Sequence, residues 1–132
     1  TPHPAELARL CGVTMGEVMS DKLGSAYRLS EKYGVTVLAK SADTFAVDGG
    51  KVYLCTEGTT ALAKGGSGDM LAGIVSSYVA QGCNALDAAA LGSFTLGSTA
   101  LLAGYKRSER GIIARDVIDA LPRFLYDLEN AD

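Results

Sequence analysis

The sequence predicts an α/β fold, with residues 1–132 forming the C-terminal part of a single larger domain. Two observations carry this. The apolar period switches from helical to strand-like at Val35-Thr36-Val37-Leu38-Ala39, and two further short strand patterns follow at once, Thr44 to Val47 and Lys51 to Cys55. Helical patterns flank these strands on both sides. Three short strands with four or five helices leave more apolar helix faces than sheet faces to cover them, so the set reads as the end of a larger sheet-centred domain.

The elements follow in order. After Thr1-Pro2-His3-Pro4 a helix is expected from Ala5 to Leu10, stopped by Gly12. A second is expected over about Gly16 to Lys32, with Val18, Leu23, Ala26, Tyr27 and Leu29 near one face and Gly34 behind it. The strands come next, the last two joined by a hairpin turn at Asp48-Gly49-Gly50. Met70, Leu71, Ile74, Val75, Tyr78 and Val79 then mark an amphipathic helix closed by Gly82. Asn84 and Asp87 open an Ala-rich helix from about Ala85 to Ala103. Gly92 and Gly97 inside it cost roughly 1 kcal/mol each against Ala, which predicts close packing against a neighbour. A last helix is expected from Arg115 to about Glu129, restarted or kinked at Pro122.

Composition narrows the class. With 48% apolar residues the chain can pack a core, and a formal charge of −3 gives poor footing for nucleic acid or an anionic membrane. No apolar run reaches the roughly 18 residues of a membrane span, so a soluble, cytoplasmic protein is expected. Cys11, Cys55 and Cys83 lack any C-x-x-C spacing, which speaks for buried reduced thiols rather than disulfides or a zinc site. One histidine cannot build a metal cluster, so no protein-held metal is expected; His3 by itself reads as solvated.

The segment that carries chemistry is Lys64-Gly65-Gly66-Ser67-Gly68-Asp69, directly ahead of the helix near Met70. Glycines let backbone N–H groups converge on an anion, and the helix adds the positive end of its dipole. Asp69 is out of place beside an anion unless it aligns and deprotonates a hydroxyl attacking a phosphoryl group. Equally, it could simply cap the helix. Neither the P-loop pattern nor the dinucleotide fingerprint occurs: no Gly-Lys-Ser/Thr triplet is present, and Leu71 sits where the latter needs glycine.

Along its whole length the chain resembles the ADP- or ATP-dependent NAD(P)H-hydrate dehydratases, a branch of the ribokinase-like carbohydrate kinases. Thr1-Pro2-His3-Pro4-Ala5-Glu6 is similar to the family's T-P-H-P-G-E, and Lys40-Ser41-Ala42-Asp43-Thr44 to its K-G-x-x-T. Gly58 through Asp69 align without a gap on G-N-P-G-M-A-T-G-G-[ST]-G-D. Ala114-Arg115-Asp116-Val117-Ile118 with Ala120-Leu121-Pro122 resembles the family ending. The chain departs at Ala5 and Ser41, each in place of glycine, at Thr59, Thr60 and Ala61, and at Lys64, which either adds charge at the phosphates or is solvated.

The resemblance implies a ribokinase-like three-layer α/β/α fold, here in its C-terminal portion, and a repair lyase that dehydrates (S)-NAD(P)H-hydrate. In that scheme the ring hydroxyl is phosphorylated and phosphate is then eliminated. It implies Asp69 as catalytic base and substrate contact, and His3 as a substrate contact. It implies Lys40, Ser41, Ala42, Asp43, Thr44, Gly58, Gly65, Gly66, Ser67 and Gly68 as the nucleotide site. ADP or ATP with Mg²⁺ would be the co-reactants, and a homo-oligomer the assembly. Two alternatives share the glycine loop: a ribokinase-like kinase for a small alcohol, and an inactive nucleotide-binding module.

Overall fold

A computed structural model describes residues 1–105 and 108–131. Three helices come first: α1 (Pro4–Cys11), α2 (Met15–Ser20) and α3 (Lys22–Tyr33). The strands β1 (Val37–Ala39), β2 (Thr44–Asp48) and β3 (Lys51–Cys55) follow. A 3-10 turn at Thr60–Leu62 leads to α4 (Ser67–Ala80) and α5 (Ala85–Gly104), and another at Glu109–Gly111 leads to α6 (Ala114–Glu129).

The strands form one antiparallel sheet in the order β1-β2-β3, with Val37 opposite Val47 and Leu38 opposite Ala46. Strand alternation sends these two pairs to opposite faces. Leu38 and Ala46 pack under Leu86, Ala89, Leu96 and Ala100 of α5, with Leu71 of α4 and Val117 of α6 beside them. Val37, Ala39 and Val47 pack against Leu7 of α1, Val18 of α2, and Ala26 and Leu29 of α3. Helices on both faces make the three-layer α/β/α arrangement that the resemblance implies. Burying a side chain such as Leu38 contributes about 1.5–3 kcal/mol, so the two thin cores hold the sheet between them.

Several boundaries differ from the sequence expectation, each for a local reason. The helix expected over Gly16 to Lys32 is two helices broken at Asp21. There the Asp21 carboxylate turns back to accept the Gly24 N–H at 2.9 Å and caps α3. A Cβ at Gly24 would lie 2.0 Å from the Asp21 Oδ2, so a larger residue there would push the carboxylate out of its present position. β1 starts at Val37 rather than Val35, since the Val35 N–H still donates to the Ser30 carbonyl across the end of α3. α6 runs through Pro122 without a restart. The carbonyl that loses its donor belongs to Ile118, which is exposed and can be hydrated.

α5 is the core helix, and its two inner glycines are contact points. A Cβ at Gly92 would lie 2.4 Å from Val75 Cγ2 of α4, and one at Gly97 would lie 2.4 Å from the Glu57 carbonyl oxygen. Contrary to the expectation that no stretch reaches spanning length, its 20 residues are long and apolar enough to cross a membrane by length and composition, the scattered Asp87, Ser93, Thr95, Ser98 and Thr99 interrupting the run without offsetting it. Half of its most apolar stretch is buried against the sheet and neighbouring helices. The three cysteines are free but half-buried rather than buried; burial pushes the Cys55 thiol above its ordinary value.

Candidate active site

An open cleft of about 1360 Å³ runs between the Thr1–Glu6 segment, the β1–β2 connection and the loop that joins β3 to α4. The backbone explains how the first two walls meet. The Lys40 N–H donates to the Pro2 carbonyl at 2.9 Å, so the segment carrying His3 is tied to the end of β1.

At the floor of the cleft α4 begins with Gly66 as its N-cap, at φ +91° and ψ −18°. A residue with a Cβ rarely adopts this conformation, and here it turns the chain into the helix without any side chain over the end. No side-chain hydrogen bond caps α4, so the positive end of its dipole is left for a ligand. Lys40 stands beside it: a Cβ at Gly68 would be 3.4 Å from the Lys40 Nζ. Its ammonium forms no hydrogen bond or ion pair among the described residues, so its charge adds to that of the helix end.

Asp69 sits in the first turn of α4, exposed and lining the cleft. Its carboxylate accepts no hydrogen bond among the described residues, so it makes no capping hydrogen bond, while its place in the first turn also sets it favourably against the helix dipole. An unoccupied carboxylate beside an uncapped helix start and an unpaired lysine can take a proton from a hydroxyl while the phosphoryl group it attacks is held by N–H groups and the ammonium.

His3 is exposed, as a chain-end residue is expected to be, but it also has a structural role. It is the N-cap of α1, its Nδ1 accepting the Glu6 N–H at 3.3 Å while its own N–H donates to Glu6 Oε2 at 2.8 Å. Nε2 lies 3.3 Å from Glu6 Oε1, which assigns the ring proton to Nε2. The hydrogen bond from the His3 backbone holds the Glu6 carboxyl below its ordinary value.

The cleft brings together His3, Lys40, Ser41, Ala42, Thr44, Gly58, Gly65, Gly66, Ser67, Gly68 and Asp69. Asp43 alone of the sequence candidates is not among the lining residues; its carbonyl faces the Lys22 ammonium, which also bonds Ser41 Oγ and lies 4.9 Å above the Phe45 ring. Lys64 lines the cleft, half-buried, and its ammonium donates to the carbonyls of Glu109, at 3.0 Å, and Ile112. Sequence reasoning missed Glu6, Glu57 and Glu109 on the cleft wall. The i, i+3 spacing of His3 and Glu6 could have revealed the first; nothing local marks Glu109.

Among the described residues no group of three or more His, Cys, Asp or Glu side chains could hold a metal ion. The carboxylates of Glu57 and Asp69 are oxygen donors on the cleft wall, which fits a hard cation carried mainly by phosphates rather than a resident one.

The three-layer α/β/α arrangement is that of the ribokinase-like class. A solved ribokinase-like superfamily protein from Enterococcus faecalis superposes on it with a TM-score of 0.82 at 25% identity, over 96% of this chain and 43% of that one. The family model described as NAD(P)H-hydrate dehydratase matches residues 1–123, and the chain belongs to that family.

The bifunctional NAD(P)H-hydrate repair enzyme of Vibrio cholerae is 38% identical over 95% of this chain and 25% of its own length. The ADP-dependent (S)-NAD(P)H-hydrate dehydratase of Neisseria meningitidis is 39% identical over 76% of this chain and 34% of its own. The crystal structure of the Bacillus subtilis ADP/ATP-dependent NAD(P)H-hydrate dehydratase, co-crystallised with ATP and Mg²⁺, gives a TM-score of 0.88 at 27% identity, over 95% of this chain and 46% of that one. The chain thus spans about a quarter of the first relative's length and about half of the solved chain's.

Proposed function

We propose that residues 1–132 are the C-terminal part of a single dehydratase domain and carry its phosphoryl-transfer machinery, acting on (S)-NAD(P)H-hydrate with ADP or ATP. The observation that carries this reading is the pairing of an uncapped, glycine-rich start of α4 with the unoccupied carboxylate of Asp69. Nucleotide phosphates would lie against the N–H groups of Gly65, Gly66, Ser67 and Gly68, with the Lys40 ammonium beside them. Ser41, Ala42 and Thr44 line the neighbouring wall, and Gly58 opens the loop around the phosphates.

Asp69 takes the proton of the ring hydroxyl as its oxygen bonds the terminal phosphorus, and the bond from that phosphorus to the nucleotide breaks. The ring C–O bond then breaks, phosphate leaves with the electron pair, and loss of a ring proton restores the double bond. His3 stands on the wall facing this step as a substrate contact. Mg²⁺ would neutralise phosphate charge, with Asp69 and Glu57 as the nearby oxygen donors. Free cysteines suit a reducing cytoplasm, and exposed apolar residues such as Leu101, Ile118 and Tyr126 suit a homo-oligomer.

Product analysis separates the readings. Hydrated NADH incubated with Mg²⁺ and either nucleotide should yield NADH and inorganic phosphate. A stable phosphoester would instead identify a kinase. Unchanged hydrate, with a nucleotide-dependent rise in Tm, would identify a binding module.

A further inference from the structure

The loop between β3 and α4 carries the phosphate cradle, yet its middle is fastened to a remote part of the chain. The Thr60 hydroxyl donates to Glu109 Oε2, a contact spanning 49 residues. Four residues on, Lys64 reaches the same segment and donates to the backbone carbonyls of Glu109 and Ile112. These bonds tie the stretch Thr60–Lys64 to the turn that leads into α6, immediately before the cradle glycines Gly65, Gly66 and Gly68. Glu109 itself lines the cleft, where a carboxylate beside bound phosphates is unfavourable unless it serves another purpose.

We propose that Glu109 is a positioning residue whose carboxylate, through the Thr60 hydroxyl and together with the Lys64 ammonium, holds the β3–α4 loop in the conformation that presents the cradle to nucleotide phosphates. The proposal rests on the phosphate reading of the α4 start and deepens it. Hydrogen bonds from these three groups restrain a loop that has only one short helical turn of its own, so their loss releases conformations that do not bind. The hydroxyl-to-carboxylate bond is charge-assisted and therefore among the stronger single links available to an exposed loop. Lys64 is held on carbonyls, so its charge acts on loop geometry and leaves Lys40 as the cation at the cradle.

The test measures nucleotide affinity and backbone exchange together on the full chain. Glu109→Ala and Thr60→Val should each weaken ADP or ATP binding about tenfold and speed amide exchange over residues 57–66. Glu109→Gln keeps an acceptor for the Thr60 hydroxyl and should recover affinity to within about threefold. The Glu109→Ala, Thr60→Val double variant should be no weaker than Glu109→Ala alone, because the carboxylate that Thr60 bonds is already gone. Affinity and exchange unchanged in Glu109→Ala would overturn the proposal, as would a Gln variant no better than Ala. Failure of the parent chain to bind either nucleotide would instead overturn the phosphate reading beneath it.

Discussion

Replacing Gly97 with Ala asks whether α5 is shaped to let the loop between β3 and α4 pass. The new Cβ would sit 2.4 Å from the Glu57 carbonyl oxygen, 2.6 Å from its carbon and 3.1 Å from its Cβ. The obstacle is mostly backbone, so either helix or loop must shift by about 1 Å to restore ordinary contact, and a close-packed interior resists this. Overpacking of this kind costs about 1–3 kcal/mol, against up to about 1 kcal/mol gained from helix propensity. The net expectation is a loss of about 1–2 kcal/mol, or roughly 3–8 °C in Tm. Gly73→Ala is the matched control on α4, since a Cβ there meets nothing within 4 Å. It should stabilise the fold by roughly 0.5–1 kcal/mol. Urea unfolding and calorimetry read both variants. If Gly97→Ala raised Tm as Gly73→Ala should, the close approach of Glu57 to α5 would be refuted.

Two further outcomes follow from the site and its supports. Lys40→Met should weaken nucleotide binding at least about tenfold in titration calorimetry while leaving Tm of the free protein within 2 °C or so, because the ammonium bonds no acceptor among the described residues. The hydrogen bond from the His3 backbone holds Glu6 below its ordinary 4.5, and the Thr14 hydroxyl followed by the Thr14 N–H does the same for Glu17. The unfolded chain therefore binds protons first. The stability each contributes is present above about pH 4.5 and lost as pH falls through the depressed folded value, so Glu6→Gln and Glu17→Gln should each flatten the acid limb of a Tm-against-pH curve.

Local chemistry was legible in the sequence where one residue decides the outcome. Gly12 and Gly34 end their helices in the left-handed region, Gly49-Gly50 turns the hairpin, and Gly92 and Gly97 meet neighbours as their cost predicted. The break at Asp21 was readable too, from an aspartate three residues before a glycine, but the continuous apolar period hid it. Pro122 does not restart the helix, because the donor it takes from the Ile118 carbonyl is lost at an exposed residue, a matter of packing rather than of local sequence. The glycine run pointed to the cradle and to Asp69. That the carboxylate is unoccupied, that Lys40 stands beside Gly68, and that Glu109 meets Thr60 are products of tertiary packing, with no local pattern to announce them.

The role of Asp69 is tested most directly by the rate at which reduced-nicotinamide absorbance returns from hydrated NADH with Mg²⁺ and ADP or ATP, in the parent chain and in Asp69→Asn. The account predicts recovery by the parent chain with at least one nucleotide. It predicts a fall of about 10²–10⁴-fold in the variant, as expected for loss of a general base, with nucleotide-induced stabilisation retained. Recovery at the parent rate in Asp69→Asn, or no recovery by the parent chain with either nucleotide, would contradict it.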